Sequence, residues 1–191
     1  PIFHINKQKA LEACHGDWIL QLDADEIVTK ELREEILRIT NHELRINGYY
    51  IPRRNYFLGG WLRKGGQYPD YVIRLVRRGK ARFPCKSVHE QIEVDGMVDY
   101  ITHPMLHYSY QTRTDYWKKA DAYTALTAQE LAKSKMNRFI LFFQYCLAKP
   151  IGTFLSIFFR HKGFMDGLTG FEFSLYSALH FPIAFIKSLK I

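Results

Sequence analysis

The sequence has 191 residues and a mass of 22.6 kDa, a length typical of one domain or of one domain with an appendage. Hydrophobic residues make up 47% and charged residues 24%, which excludes a wholly disordered chain. The 27 lysines and arginines exceed the 19 aspartates and glutamates by eight charges, so an anionic partner is expected: nucleic acid, an anionic membrane or a phosphorylated small molecule.

The first predicted elements are a helix, a buried strand and a second helix. The first helix covers residues 6–15 and ends at Gly16, a residue type favoured just beyond helix ends. The almost continuous apolar run 18–22 predicts a strand buried on both faces of a parallel sheet. Thr29 is expected to cap a second helix that reaches about Asn41.

Short strands are predicted through the middle of the chain, at residues 49–54, 71–77, 88–94 and 105–110. A glycine-rich loop, 58–67, separates the first two. Because side chains alternate along a strand, Arg74 and Arg78 are expected on one face and Arg77 on the other. Thr114 is expected to cap a helix that runs to about Ser134. A helix, a buried strand, a helix and then mixed strands predict an α/β fold.

The tail from Met136 onward is apolar and aromatic, so the sequence divides into residues 1–135 and a hydrophobic helical extension, 136–191. Residues 139–159 approach the length of a membrane span, but Gln144 and Lys149 would be costly at mid-bilayer. We expect helices that lie in the membrane interface; packing against the domain and spanning are the alternatives. Five cations would then lie near lipid headgroups: Arg138, Arg160, Lys162, Lys187 and Lys190.

The positive charge is concentrated in one segment. Residues 53–86 contain ten lysines and arginines and a single acid, Asp70, which gives a net charge of +9. The rest of the chain is therefore close to neutral. This distribution favours a focused anion site over a surface that coats nucleic acid.

Asp23-Ala24-Asp25-Glu26 follows directly on the buried strand 18–22. Ligands of open α/β sheets bind at the carboxyl ends of strands, and in an extended backbone Asp23 and Asp25 would project to the same side. Paired carboxylates suit Mg²⁺ or Mn²⁺, which can keep open positions for diphosphate oxygens. The alternative is that Asp25 and Glu26 only stabilise the N-terminus of the next helix.

Several spaced segments together resemble family-two glycosyltransferases of the GT-A fold. Segment 10–26, ALEACHGDWILQLDADE, is similar to the helix and strand that lead into their metal-binding DxD motif. Segments 68–78, YPDYVIRLVRR, and 87–91, SVHEQ, resemble the bacterial subgroup that builds lipopolysaccharide inner core, including beta-1,4-glucosyltransferase-like enzymes. Segment 162–170, KGFMDGLTG, is similar to their hydrophobic C-terminal extension. The resemblance implies a Rossmann-like mixed sheet flanked by helices, with the nucleoside-binding half of the domain preceding Pro1.

The resemblance also implies roles for individual residues. Asp23 and Asp25 would hold the metal and the donor diphosphate, and Glu26 would support the loop. An inverting transfer needs a general base, for which Glu90 is the first candidate and Asp70 the second. Glu90 could instead be a solvated strand carboxylate, and Asp70 a charge partner for neighbouring arginines.

Other side chains are weaker candidates. His89 could be a third metal ligand or only a hydrogen-bonded neighbour, and His103 and His107 are weaker still. Arg74 and Arg78 could bind phosphate. Trp61 and Tyr68 could stack on a sugar or pack in the core. Four glycines suggest a loop that closes over substrate: Gly59, Gly60, Gly65 and Gly66.

The sequence therefore predicts a metal-dependent inverting glycosyltransferase. Its partners would be a nucleotide-sugar donor, a phosphorylated lipid-linked glycan acceptor and an anionic membrane, with no nucleic acid. It would be cytoplasmic, peripheral on the inner face of a bacterial plasma membrane, and would act in lipopolysaccharide core or other cell-envelope glycan synthesis. The alternatives are a carboxylate-metal phosphoesterase or nuclease and a non-catalytic, membrane-associated truncated paralogue.

Overall fold

The fold is taken from a computed structural model, which describes residues 2–42, 45–84 and 91–191. The strands are β1 (Trp18–Leu20), β2 (Glu26–Ile27), β3 (Ile46–Phe57), β4 (Gly60–Trp61), β5 (Asp70–Arg77), β6 (Ala81–Arg82), β7 (Glu93–Val94), β8 (Met97–Tyr100) and β9 (Met105–Tyr110). The helices are α1 (Ile2–Glu12), α2 (Lys30–His42), α3 (Arg113–Lys133), α4 (Arg138–Phe142), α5 (Lys149–Leu155) and α6 (Gly167–Ser188). The α/β class with a mixed sheet flanked by helices is confirmed and is consistent with a GT-A-like fold.

The main sheet has the strand order β1-β5-β3-β9-β2, with β4 and β8 also paired to β3. β1 runs antiparallel to β5, whereas β8 runs parallel to β3. The prediction that β1 belongs to a parallel sheet is therefore wrong. The apolar run reflects contacts with two hydrophobic clusters, because Ile19 packs in one and its neighbours Trp18 and Leu20 pack against the other.

A β-bulge interrupts the pairing of β3 with β5 at Arg74. Tyr49 pairs with Leu75 and the next residue, Tyr50, pairs with Ile73, so Arg74 is the extra residue. A bulge of this kind breaks side-chain alternation and changes the direction of a side chain. The predicted common face for Arg74 and Arg78 is lost for this reason, and β5 also ends one residue before Arg78.

The observed helix ends and caps agree only in part with those predicted from the sequence. Thr29 caps α2 as predicted, since its hydroxyl accepts a hydrogen bond from the Leu32 amide at 3.2 Å. α1 ends at Glu12, three residues before the predicted end. The cap of α3 is Thr112 and not Thr114, because the Thr112 hydroxyl accepts from the Asp115 amide at 3.1 Å. Its side chain also donates to the Asp115 carboxylate, which strengthens the cap.

Two compact units divide the chain. The first contains Pro1–Arg54 and Pro69–His107, and the second contains Asn55–Tyr68 and Tyr108–Ile191. The core of the second unit is an aromatic cluster in which Phe57, Tyr116 and Phe173 meet edge to face. The division at residue 135 into a domain portion and a hydrophobic helical extension stays a prediction.

The hydrophobic tail is helical, as predicted. α4 and α5 form one continuous helix with two π-helical segments, Phe143–Ala148 and Ser156–Arg160. The helix Arg138–Arg160 is long enough and apolar enough to cross a membrane, judged by its length and composition only. Within its most apolar 18 residues, 6% are buried. A short 3₁₀ turn, Gly163–Asp166, leads into α6.

Candidate active site

The acidic motif forms a turn between β1 and β2. The Asp23 carbonyl accepts a hydrogen bond from the Glu26 amide at 3.0 Å, and the Asp23 amide donates to Glu26 Oε2 at 3.0 Å. These two bonds close the chain on itself. The extended backbone expected for Asp23 and Asp25 is therefore absent, and the two carboxylates have different partners.

Arg74 links the ends of this turn. Its Nη2 atom lies 2.5 Å from Asp23 Oδ2 and 2.7 Å from Glu26 Oε1, and its Nη1 atom donates to Gln21. Arg74 is 8% exposed, and the Glu26 side chain is fully buried. The bulge directs Arg74 toward the turn, and the Arg74 carbonyl accepts from the Gln21 amide at 2.8 Å. A buried guanidinium with three side-chain partners gives the acidic turn one defined shape.

The Asp23 carboxylate is almost fully occupied by protein donors. Lys7 of α1 lies 2.5 Å from its Oδ1 atom, and Gln21 donates to the same oxygen at 3.2 Å. Burial raises the pKa of Asp23, but the hydrogen bond from Lys7 and the charge of Arg74 outweigh it and hold this pKa below 3.8. Asp23 is thus a charged anchor of the turn.

Asp25 lies beside a histidine contributed by a strand 80 residues later. β2 pairs with β9 so that Glu26 faces His107, and His107 Nε2 lies 3.7 Å from Asp25 Oδ2. Burial and the nearby charge of Arg53 lower the pKa of His107, although Asp25, Glu26 and Asp70 act in the opposite direction. A lowered pKa keeps the imidazole neutral near pH 7, the form that binds a metal.

Asp70, the single acid of the basic segment, is held by Arg53. Arg53 donates to Asp70 Oδ2 from Nε at 3.0 Å and from Nη2 at 2.6 Å, and its Nη1 atom lies 3.6 Å from Glu26 Oε1. This arrangement favours the interpretation of Asp70 as a charge partner of an arginine. Arg53 also connects Asp70 to the acidic turn.

A divalent cation fits the Asp25–His107 pair better than it fits Asp23. A carboxylate oxygen and an imidazole nitrogen 3.7 Å apart can both reach an ion at about 2.1 Å, and Mn²⁺ accepts this mixture of ligands. Within residues 2–42, 45–84 and 91–191, no group of three or more metal-ligating side chains occurs. Donor diphosphate and water would have to complete the coordination.

The remaining candidates lie elsewhere or outside the described residues. Arg78 lies 3.8 Å from Asp17, and both side chains are exposed, so Arg78 is not part of the acidic turn. In the second unit, Trp61 and Tyr68 meet edge to face at 5.6 Å, and Arg63 lies over the Trp61 ring at 4.9 Å. Glu90 and His89, the predicted base and third ligand, lie outside the described residues.

The sequence pattern gave no signal for Lys7 and Gln21 and only a weak one for His107. Lys7 and Gln21 carry no motif signal, since each is an ordinary polar residue in a helix or loop. His107 was rated a weak candidate because its proximity to Asp25 depends on the pairing of β2 with β9. The one available signal was the position of His107 within a correctly predicted strand.

Curated proteins similar to the chain are glycosyltransferases. The lipopolysaccharide core biosynthesis glycosyltransferase LpsC of Rhizobium meliloti (strain 1021) is 33% identical over 193 residues, which cover 97% of this chain and 67% of LpsC. The chain belongs to this family of glycosyltransferases. Uncharacterized glycosyltransferases of Rickettsia typhi and Rickettsia prowazekii are each 28% identical over 182 residues, covering 88% of the chain and 61% of each relative.

The glycosyltransferase chain thus spans about two thirds of the length of its curated relatives, since the matches cover 67% and 61% of them. No family model and no solved structure matches the chain. The family-level resemblance recognised in the sequence is confirmed by these relatives.

Proposed function

We propose that the chain is part of a metal-dependent inverting glycosyltransferase. It would transfer a sugar from a nucleotide-sugar donor to a phosphorylated, lipid-linked glycan in the synthesis of lipopolysaccharide core or another cell-envelope glycan. The observation that carries the proposal is the acidic turn, fixed by buried Arg74 and presenting Asp25 beside His107. The name of the relative LpsC supports the assignment to lipopolysaccharide core synthesis.

Asp25 and His107 would hold a Mg²⁺ or Mn²⁺ ion, which when bound supplies positive charge to the departing diphosphate. Asp23, a metal ligand in the sequence-based prediction, is not a ligand in this proposal, because its carboxylate already neutralises Lys7 and Arg74. Glu26 serves as the buried counter-charge of Arg74 and does not contact substrate. His89 remains a proposed additional ligand outside the described residues.

The transfer step requires removal of a proton from the acceptor hydroxyl as its oxygen attacks the anomeric carbon and the bond to the diphosphate breaks. Glu90 is proposed as the base that takes this proton. Asp70 is second, since its carboxylate accepts two hydrogen bonds from Arg53. Trp61 and Tyr68 are proposed acceptor contacts, because aromatic faces and edges suit the apolar faces of sugars.

The site of action would be the cytoplasmic face of the bacterial inner membrane, with the protein attached peripherally to anionic lipid. The exposed apolar residues of the tail helix, with Phe139 77% exposed, support this location. A lipid-linked acceptor would be presented to the enzyme at the same surface.

The test uses full-length protein, a panel of nucleotide sugars and Mn²⁺. Nucleoside diphosphate release, donor-induced thermal shift and Mn²⁺ electron paramagnetic resonance are measured. We expect Asp25→Asn to lose Mn²⁺ binding and turnover, whereas Asp17→Asn, at an exposed carboxylate near the same strand, behaves as wild type. If no donor stabilises the wild type, or if Asp25→Asn binds Mn²⁺ normally, the proposal fails.

The base is assigned by a second pair of variants. Glu90→Gln should lose turnover and retain donor binding, because the amide keeps the shape of the side chain and cannot accept the proton. Retained turnover in Glu90→Gln together with loss in Asp70→Asn would move the role to Asp70. Release of inorganic phosphate or cleavage of nucleic acid without sugar transfer would favour the phosphoesterase alternative.

A further inference from the structure

The tail helix Arg138–Arg160 carries an uninterrupted row of exposed apolar side chains at every fourth position. We call this row the apolar ridge: Phe139, Phe143, Leu147, Ile151, Leu155 and Phe159. Its members are between 42% and 77% exposed. A row of large apolar side chains this long is unusual on a surface that contacts only water.

The two π-helical segments keep this row straight. In a regular α-helix of about 3.6 residues per turn, the 20 residues from Phe139 to Phe159 make about 5.6 turns, so these rings would face nearly opposite sides. Each π-helical turn takes up about one extra residue, so the same 20 residues make about five turns. The row then runs along one side for about 30 Å.

The opposite side of the tail helix packs on the protein itself. Leu141 is buried with Phe185 of α6, and Tyr145 packs against the same cluster. Lys149, the one charge inside the helix, lies 3.7 Å from the centre of the Tyr145 ring and 5.7 Å from that of Phe181. The Lys149 ammonium group, which would be costly to bury in lipid, is thus directed away from the ridge.

The tail helix and the residues that flank it in sequence carry only positive charge. Between Leu131 and Met165 the sequence has no aspartate or glutamate and six lysines or arginines: Lys133, Lys135, Arg138, Lys149, Arg160 and Lys162. Arg138 and Arg160 stand at the two ends of the helix and are exposed. Cations at both ends complement anionic headgroups, whereas a second copy of the ridge would bring like charges together.

We propose that the apolar ridge lies in the plane of an anionic bilayer, with the tail helix parallel to the membrane surface and its cationic ends among the headgroups. The proposal deepens the membrane attachment suggested above and gives it a defined surface and orientation. In this proposal the ridge neither crosses the bilayer nor packs against the domain, which were the two alternatives raised by the sequence. The π-helical segments are the device that makes a flat contact of this length possible.

Vesicle flotation of the full-length protein tests the surface. Vesicles of neutral phosphatidylcholine are compared with vesicles in which anionic phosphatidylglycerol replaces part of that lipid. Leu147→Glu/Leu155→Glu should reduce binding to anionic vesicles by about tenfold or more, because both charges would enter the apolar layer. The control is Leu37→Glu/Leu126→Glu at residues of similar exposure on α2 and α3. Equal loss in both variants, or no binding by wild type, overturns the proposal.

Depth measurement tests the orientation. Single nitroxide labels replace ridge residues in a protein whose native cysteines are changed to serine, and collision with oxygen and with a water-soluble nickel complex is measured. A flat helix predicts similar depth for labels at Phe143, Ile151 and Phe159. A label at Ile151 that is much deeper than the other two would indicate a spanning helix and overturn the proposal. Dimers of the wild type that dissociate in the ridge variant would indicate that a second copy covers the ridge, which would also overturn it.

The ridge and the proposed transferase activity can fail separately. The ridge variant should retain wild-type turnover on a detergent-dispersed acceptor, since no ridge residue is among the proposed ligands, bases or acceptor contacts. Vesicle binding without any sugar transfer would leave the ridge standing and reject the proposed function. Sugar transfer without vesicle binding would reject the ridge as a membrane contact and leave the proposed transferase activity standing.

Discussion

Arg74→Met should destabilise the first unit strongly. The substitution removes the guanidinium that lies 2.7 Å from the fully buried Glu26 carboxylate and 2.5 Å from Asp23. Breaking one side of a buried ion pair costs about 3–5 kcal/mol, because the remaining charge stays buried without compensation. Arg53, at 3.6 Å from Glu26, and Lys7, at Asp23, offset part of this loss. We therefore expect a fall of about 3 kcal/mol in the free energy of unfolding.

The assay is denaturant unfolding of the full-length protein at pH 7, followed by fluorescence and circular dichroism together. Arg78→Met is the matched control, since Arg78 is exposed and lies 3.8 Å from an exposed Asp17. A surface pair of this kind contributes less than about 1 kcal/mol. Adding Glu26→Gln to Arg74→Met should recover part of the loss, because the double variant no longer buries an unpaired charge.

The same variant has a defined pH dependence. The pKa of Asp23 is lowered in the folded protein, so its contribution to stability is present above the ordinary value of 3.8 and is lost as the pH falls through the folded pKa. Arg74→Met removes one source of that lowering. The stability difference between wild type and variant should therefore shrink below about pH 4. An Arg74→Met protein as stable as Arg78→Met at pH 7 would refute the bridging role of Arg74.

Two further predictions concern the second unit and are read from thermal and denaturant unfolding. A Cβ at Gly170 would overlap the backbone carbonyl of Gly163, so Gly170→Ala should cost about 1–3 kcal/mol, whereas Gly152→Ala, in open space on α5, should be neutral or stabilising. Equal effects would contradict the close approach at Gly170. Thr112→Ala should cost about 1 kcal/mol by loss of the α3 cap, and Thr114→Ala less than about 0.5 kcal/mol. The reverse ranking would restore Thr114 as the cap.

Local features of the fold could be predicted from the sequence because they depend on neighbouring residues. β9 was predicted with its observed bounds, Met105–Tyr110, and Thr29 was assigned correctly as a cap. The position of Asp23 and Asp25 directly after a buried strand was predicted from the apolar run before them, although their backbone forms a turn and is not extended. Each of these signals lies within a few residues of the feature it predicts.

The rest of the site depends on strand pairing, which no local pattern specifies. The bulge that directs Arg74 exists only because β3 and β5 pair with a one-residue shift. His107 approaches Asp25 only because β9 pairs with β2. A periodic pattern predicts that a strand exists and which residues alternate, but it cannot place an irregularity that the partner strand creates.

Charge along the sequence is a poor guide to charge on the folded surface of this protein. Several of the described cations of the basic segment pair with acids that precede the segment, lie within it or follow it in the chain. The pairs are Arg53 with Asp70 and Glu26, Arg74 with Asp23 and Glu26, Arg78 with Asp17, Lys80 with Asp95, and Arg82 with Glu93. These pairings do not favour a broad anion-binding surface.

The acidic turn concentrates the opposing charges of the first unit. Among the described residues, four carboxylates meet three permanent cations there: Asp23, Asp25, Glu26 and Asp70 against Lys7, Arg53 and Arg74. With a neutral His107, these seven charged groups sum to one negative charge, which would disfavour a diphosphate. A divalent cation at Asp25 and His107 would reverse that sign, so the same turn would attract a nucleotide-sugar donor only when metal is bound. The buried arginine thus keeps the carboxylates together, and under the proposed function their small excess of negative charge would make donor binding depend on the metal.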